Sequence, residues 1–152
     1  MIISKTPLQT AVAEMDKMPV IELGSPLVGE KEKIRIRRLV ADPAGTIGLE
    51  DFLPGTEMRW AFHHDEAQLV ISGKAEVTYS LPPSHSRVRT VVLSEGDSYM
   101  ILKGTYARFK VISDVPFRHF AVIMPRTHYE KWLLEDAVKF PTTVEEGQSL
   151  KK

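Results

Sequence analysis

"RWAFHHDEAQLVISG", residues 59–73, decides how the whole chain is read. Two adjacent histidines and two carboxylates stand directly before a run rich in strand-forming residues. Three readings are open for His63-His64-Asp65-Glu66. It can be a polar turn with both rings at the rim of a barrel, an acid/base pair, or a metal site. Neighbouring side chains on an extended chain point to opposite faces, so at most one of the two imidazoles faces inward. Parity with Glu66 selects His64, and the same alternation carries Gln68 and Val70 inward.

Outward from this stretch, short segments of period two recur, bounded by Gly, Pro and Asp. They read "KIRIRRLV" (33–40), "TIGLEDFL" (46–53), "MRWAF" (58–62), "AQLVIS" (67–72), "AEVTYSL" (75–81), "RVRTVVL" (87–93), "YARFKVIS" (106–113) and "FRHFAVIMP" (117–125). The Gly73-Lys74 step between 67–72 and 75–81 reads as a hairpin turn. In 106–113 Ala107, Phe109 and Val111 share the inner face, and Tyr106, Arg108 and Lys110 the outer one. So many short strands at roughly eight- to twelve-residue spacing indicate an all-β sandwich or barrel. The tail differs in kind. Thr127 and Glu130 have capping-box spacing, and Tyr129, Trp132 and Leu133 form an apolar stripe, which predicts a helix over 127–138. The expected division is an N-terminal arm over 1–30, a barrel over 31–126, and a helix with a polar tail over 127–152.

The chain has 152 residues, enough for one domain with a sizeable core. Twenty basic residues balance twenty acidic ones, so no global field favours nucleic acid or an anionic membrane. The absence of cysteine excludes disulfides, thiolate metal ligands and cysteine nucleophiles. No run of eighteen apolar residues and no signal-peptide core is visible, so a cytoplasmic, soluble protein is expected.

Residues 54–111 resemble the cupins, small antiparallel jelly-roll barrels. Glu66, six residues and Gly73 match the second half of the first cupin motif. Its two histidine positions fall on Trp60 and Phe62 with a three-residue spacing to Glu66, or on Arg59 and Ala61 with four; with the three-residue spacing Gly55 lies one position from its opening glycine. In the second motif Gly96 and Gly104 match, Leu102 stands for the proline, and Ala107 stands for the histidine. Trp60, Asp65, Glu66, Lys103, Gly104, Phe109 and the close "VIMPRTHYEKW" are similar to the ethanolamine-utilisation cupin family. The resemblance implies a single-domain cupin barrel with a short C-terminal helix, whose usual metal ligands are absent save Glu66.

The expected function is a small-molecule enzyme, a lyase, isomerase or hydrolase, using Glu66 with His64 as the acid/base pair. Trp60, Phe62, Gln68, Tyr99, Ala107 and Phe109 are expected to shape an aromatic pocket for a small polar metabolite. Two alternatives stand beside it: a non-catalytic metabolite-binding or scaffolding cupin, and a metal enzyme with shifted ligands. No cofactor is expected at the usual site; His64, Glu66 and His119 are the candidates for a displaced divalent ion. No phosphate loop supports nucleotide use. Arg59 or Arg108 is a candidate partner for Glu66, and His85 is expected in a mobile surface loop. The arginines of "KIRIRRLV" are expected on a solvated or partner-facing side of a sheet edge. That edge, with the arm, is the expected homodimer contact.

Overall fold

The computed structural model describes residues 5–24, 31–42 and 44–124. The helix expected over 127–138 and the polar tail lie outside them. One helix, α1 (Leu8–Met15), precedes ten strands. These are β1 (Ile21–Gly24), β2 (Lys31–Asp42), β3 (Gly45–Phe52), β4 (Glu57–Ala61), β5 (Asp65–Ser72), β6 (Lys74–Ser80), β7 (Val88–Ser94), β8 (Ser98–Ile101), β9 (Tyr106–Val111) and β10 (Phe117–Met124). A six-stranded sheet in the order β1-β2-β3-β10-β5-β8 faces a four-stranded sheet in the order β4-β9-β6-β7. All pairings are antiparallel.

From β3 onward every connection except β6–β7 crosses between the sheets, which is the jelly-roll pattern. This corrects the hairpin expected at Gly73-Lys74. β5 pairs with β10 and β8, whereas β6 pairs with β7 and β9. Gly73 turns the corner at φ +80°, and a Cβ there would lie 2.3 Å from the Pro116 carbonyl oxygen. Only glycine combines that backbone conformation with so close an approach. Period-two patterning is the same for a hairpin and for a corner between sheets, so the sequence could not separate them.

Alternation along the strands fills the space between the sheets. Phe52, Phe109 and Phe117 form its centre, with ring centroids 5.6–6.4 Å apart. Burying each such ring contributes about 1.5–3 kcal/mol. Ile34 and Ile36 of β2 join this core. The intervening Arg35 and Arg37 point to the other face, where Ala11 and Met15 of α1 and the following Met18 pack on Leu49 of β3. There Arg37 pairs with Glu14, and Arg35 lies 3.4 Å from Asp16 and 3.7 Å from Asp51. The side expected to be solvated or partner-facing is therefore a helix-covered one. β1 pairs with β2 over Lys31–Ile34, and among the described residues the rest of β2 remains an edge of the six-stranded sheet.

Arg118 of β10 completes this outer layer. Its guanidinium donates to both oxygens of the fully buried Asp51 at 2.7 and 2.9 Å and to Asp16 at 2.8 Å. That bidentate pairing holds Arg118 far above its already high pKa, keeping it charged at every accessible pH.

Candidate functional site

The site lies on the inner face of the six-stranded sheet, and the opening stretch supplies half of it. After β4 the chain crosses between sheets through Phe62, His63 and His64. The Phe62 amide donates to the Thr105 carbonyl at 2.9 Å, and the Gly104 amide donates to the Phe62 carbonyl at 2.7 Å. Asp65 accepts the Lys103 amide at 2.8 Å. The crossing is thereby tied to the β8–β9 turn, His63 stays exposed, and His64 swings inward to 2% exposure. The polar-turn reading with both rings at the rim is thus half right: one ring is at the rim, the other in the barrel.

His64 Nε2 lies 2.9 Å from Glu66 Oε2, and both side chains are buried. Gln68 donates its amide nitrogen to the other Glu66 oxygen, and Tyr99 donates its hydroxyl to the Gln68 carbonyl. His64, Glu66, Gln68 and Tyr99 form one hydrogen-bonded chain. Burial, followed by the charges of Glu66 and then Glu50, holds the Tyr99 hydroxyl well above the ordinary phenol pKa of 10.0. The face of Tyr99, undecidable from the alternation of its short strand, is inward. Arg59 and Arg108 do not hold Glu66; both lie against Glu57, at 3.6 and 2.8 Å.

A second couple stands beside the first. His119, with no exposed surface, sits opposite Glu50 across the β10–β3 ladder. Its Nε2 lies 3.2 Å from Glu50 Oε2, and its ring packs against Phe52 and Phe117. Donor atoms of Glu50, Glu66 and His119 lie within 4.8 Å of one another. Glu50 is the residue that the sequence reading missed. Both Glu50 and Asp51 are flanked by apolar residues, and both faces of β3 are covered, so alternation alone cannot say which acid faces the barrel.

The barrel interior has two compartments. A cavity of about 30 Å³ lies beside Glu50 and Glu66, walled by Trp60, Phe62, Gln68 and Phe109. It has room for about two waters. A larger hollow of about 560 Å³ opens between the edges of β7 and β8, lined by Tyr99, Ala107 and again Phe109. The residues expected to shape one pocket are thus shared between two, with Phe109 in the common wall. His85 is not a freely exposed loop residue. It is half-buried, its Nδ1 lies 3.0 Å from the Ser80 hydroxyl, and its ring stacks on Tyr106 at 4.4 Å.

The jelly roll, with its corner at Gly73, defines the chain as a protein of the cupin fold. Among solved structures it is similar to the Cnp3 cupin domain of Schizosaccharomyces pombe, with 17% identity, 75% of this chain and 91% of that one covered, and a TM-score of 0.52. It is also similar to the oxalate decarboxylase of Bacillus subtilis, an enzyme with Mn(II) centres, with 22% identity, 72% and 28% covered, and a TM-score of 0.54. The EutQ protein of Clostridium difficile shares 23% identity over 62% of this chain and 64% of its own length, with a TM-score of 0.49. The chain therefore spans less than two thirds of that EutQ protein and under a third of the decarboxylase. No family model and no curated protein sequence matches it.

The metal usual in this fold does not fit at the usual positions, where Trp60, Phe62 and Ala107 offer no ligand atom. The shifted set Glu50, Glu66 and His119 does have the donor chemistry of a divalent-metal site.

Proposed function

We propose that this cupin is a small-molecule enzyme in which Glu66 and His64 exchange protons with a substrate. The observation that carries this reading is the buried 2.9 Å contact between His64 Nε2 and Glu66 Oε2, inside the barrel and beside a cavity. An imidazole and a carboxylate in direct contact can pass a proton between them near neutral pH. Gln68 fixes the rotation of the Glu66 carboxylate, leaving it aimed at the space shared with Glu50 and His119. Trp60, Phe62 and Phe109 form the aromatic wall of that space. Proton abstraction or return at one substrate atom, as in a lyase, isomerase or hydrolase, is the chemistry these groups serve.

The convergence of Glu50, Glu66 and His119 favours a second reading, a metal-dependent enzyme with displaced ligands. These three residues would hold the ion, and two carboxylates with an imidazole suit Mn, Fe or Zn. A bound ion would polarise a substrate oxygen as a Lewis acid.

Glu66→Gln separates the readings when combined with metal analysis. In protein purified without a histidine tag and treated with chelator, the first reading expects turnover of a substrate found by metabolite screening. It also expects Glu66→Gln to abolish that turnover without unfolding the protein. Turnover that returns only with added Mn²⁺ or Zn²⁺ supports the second reading, and a fully active Glu66→Gln variant would sink both. Ligand binding with no turnover under any condition would favour a non-catalytic binding module.

A further inference from the structure

The chain of hydrogen bonds from Glu66 to Tyr99 has a direction, and that direction bears on what the larger hollow accepts. An ionised carboxylate only accepts hydrogen bonds, so the Gln68 amide must present its NH₂ to Glu66. Its carbonyl oxygen is then turned to Tyr99, which must donate its only proton to it. Burial first, and after it the nearby Glu66 and Glu50, keep that proton on the phenol. What Tyr99 has left to offer the hollow is an oxygen lone pair.

The hollow is mainly apolar, walled by residues such as Val77, Leu93, Ile101 and Ala107, with Tyr79, Ser98 and Thr105 as its other hydroxyl-bearing residues. Among the described residues that line it, Asp97 is the charged one, with no lysine or arginine beside it. Its volume of about 560 Å³ lies within the roughly 300–1,000 Å³ usual for small-molecule sites. We propose that it binds the apolar body of a ligand whose head group donates a hydrogen bond to Tyr99, an alcohol or an amine. At Tyr99, carboxylates and acceptor-only carbonyls are selected against. An acceptor-only head would face a lone pair with no proton between them, and a carboxylate would meet Asp97 and the negative centre behind Gln68. This rests on the reading that the barrel takes a small molecule, and it names the class of that molecule.

A matched naphthalene series tests the idea in the full chain: 2-naphthylmethanol, 2-naphthylmethylamine, 2-acetylnaphthalene and 2-naphthoate, with binding followed by protein NMR. The alcohol or the amine should bind at least about ten-fold more tightly than the ketone and the carboxylate. The stronger of the two identifies the head group. Tyr99→Phe should erase that advantage while leaving the ketone's affinity unchanged. Gln68→Leu frees the Tyr99 proton and should strengthen ketone binding, a gain that a damaged fold could not produce. Equal binding of ketone and alcohol, an alcohol preference that survives Tyr99→Phe, or no binding by any member would overturn the proposal. Because the series reads binding alone, its result is separate from the Glu66→Gln turnover test.

Discussion

The two faces of the six-stranded sheet both bury charge, and they close it differently. On the outer face, beneath α1, Asp51 is met by Arg118 through two hydrogen bonds and by Arg35 at 3.7 Å. Asp16 then closes on both arginines. Each anion there has a cation. On the inner face Glu50 and Glu66 converge with His119 and His64, and among the described residues no lysine or arginine lines the cavity they share. Neighbouring residues of one strand, Glu50 and Asp51, take part in the two arrangements. The closed network fixes a helix to a sheet. The open one leaves its charge to be completed by imidazole protons, a substrate proton or a cation, which is what a reactive centre needs.

If the outer network is structural, breaking it has the largest effect on folding. Arg118→Met strands the buried Asp51 and should lower stability by about 3–5 kcal/mol, measured by urea denaturation. A loss below 1 kcal/mol would show that the network does not hold α1 to the barrel. The inner centre should respond in function instead. Glu66→Gln should cut turnover by about 100-fold or more, with an unfolding midpoint close to that of the parent. Tyr99 gives a smaller, pH-resolved effect. Its folded pKa is raised above the unfolded value of 10.0, so the stability it contributes is full below pH 10 and is lost as pH climbs through the folded value. Wild-type stability should therefore fall more steeply above pH 10 than that of Tyr99→Phe. Parallel curves would remove Tyr99 from the buried chain.

Much of the barrel was legible because period-two alternation reports a strand with one face in the core. Glu66, Gln68, Val70, Ala107, Phe109 and Val111 are all buried as that pattern requires. The fixed parity from Glu66 back to His64 placed the correct imidazole inside. Pairing was not legible. Which strand lies beside which is set by contacts distant in sequence, so the corner at Gly73 read as a hairpin. The same gap hid Glu50, whose place opposite His119 follows from the β3–β10 register. It also hid the roles of Arg35 and Arg37, which depend on a helix some twenty residues away covering their face.

The contrast between the faces reduces to adjacent residues, and one paired measurement tests it most directly. Glu50→Gln and Asp51→Asn are isosteric changes one residue apart, compared by urea denaturation at pH 7 in chelator. Removing one of two converging carboxylates should leave stability unchanged or raise it by about 1 kcal/mol. Removing the charge that Arg118 and Arg35 share should lower it by several times that amount. Opposite signs, or a neutral Glu50→Gln beside a damaging Asp51→Asn, is the predicted result. Equal losses from both would contradict the account, because the inner acids would then be as structural as the outer one.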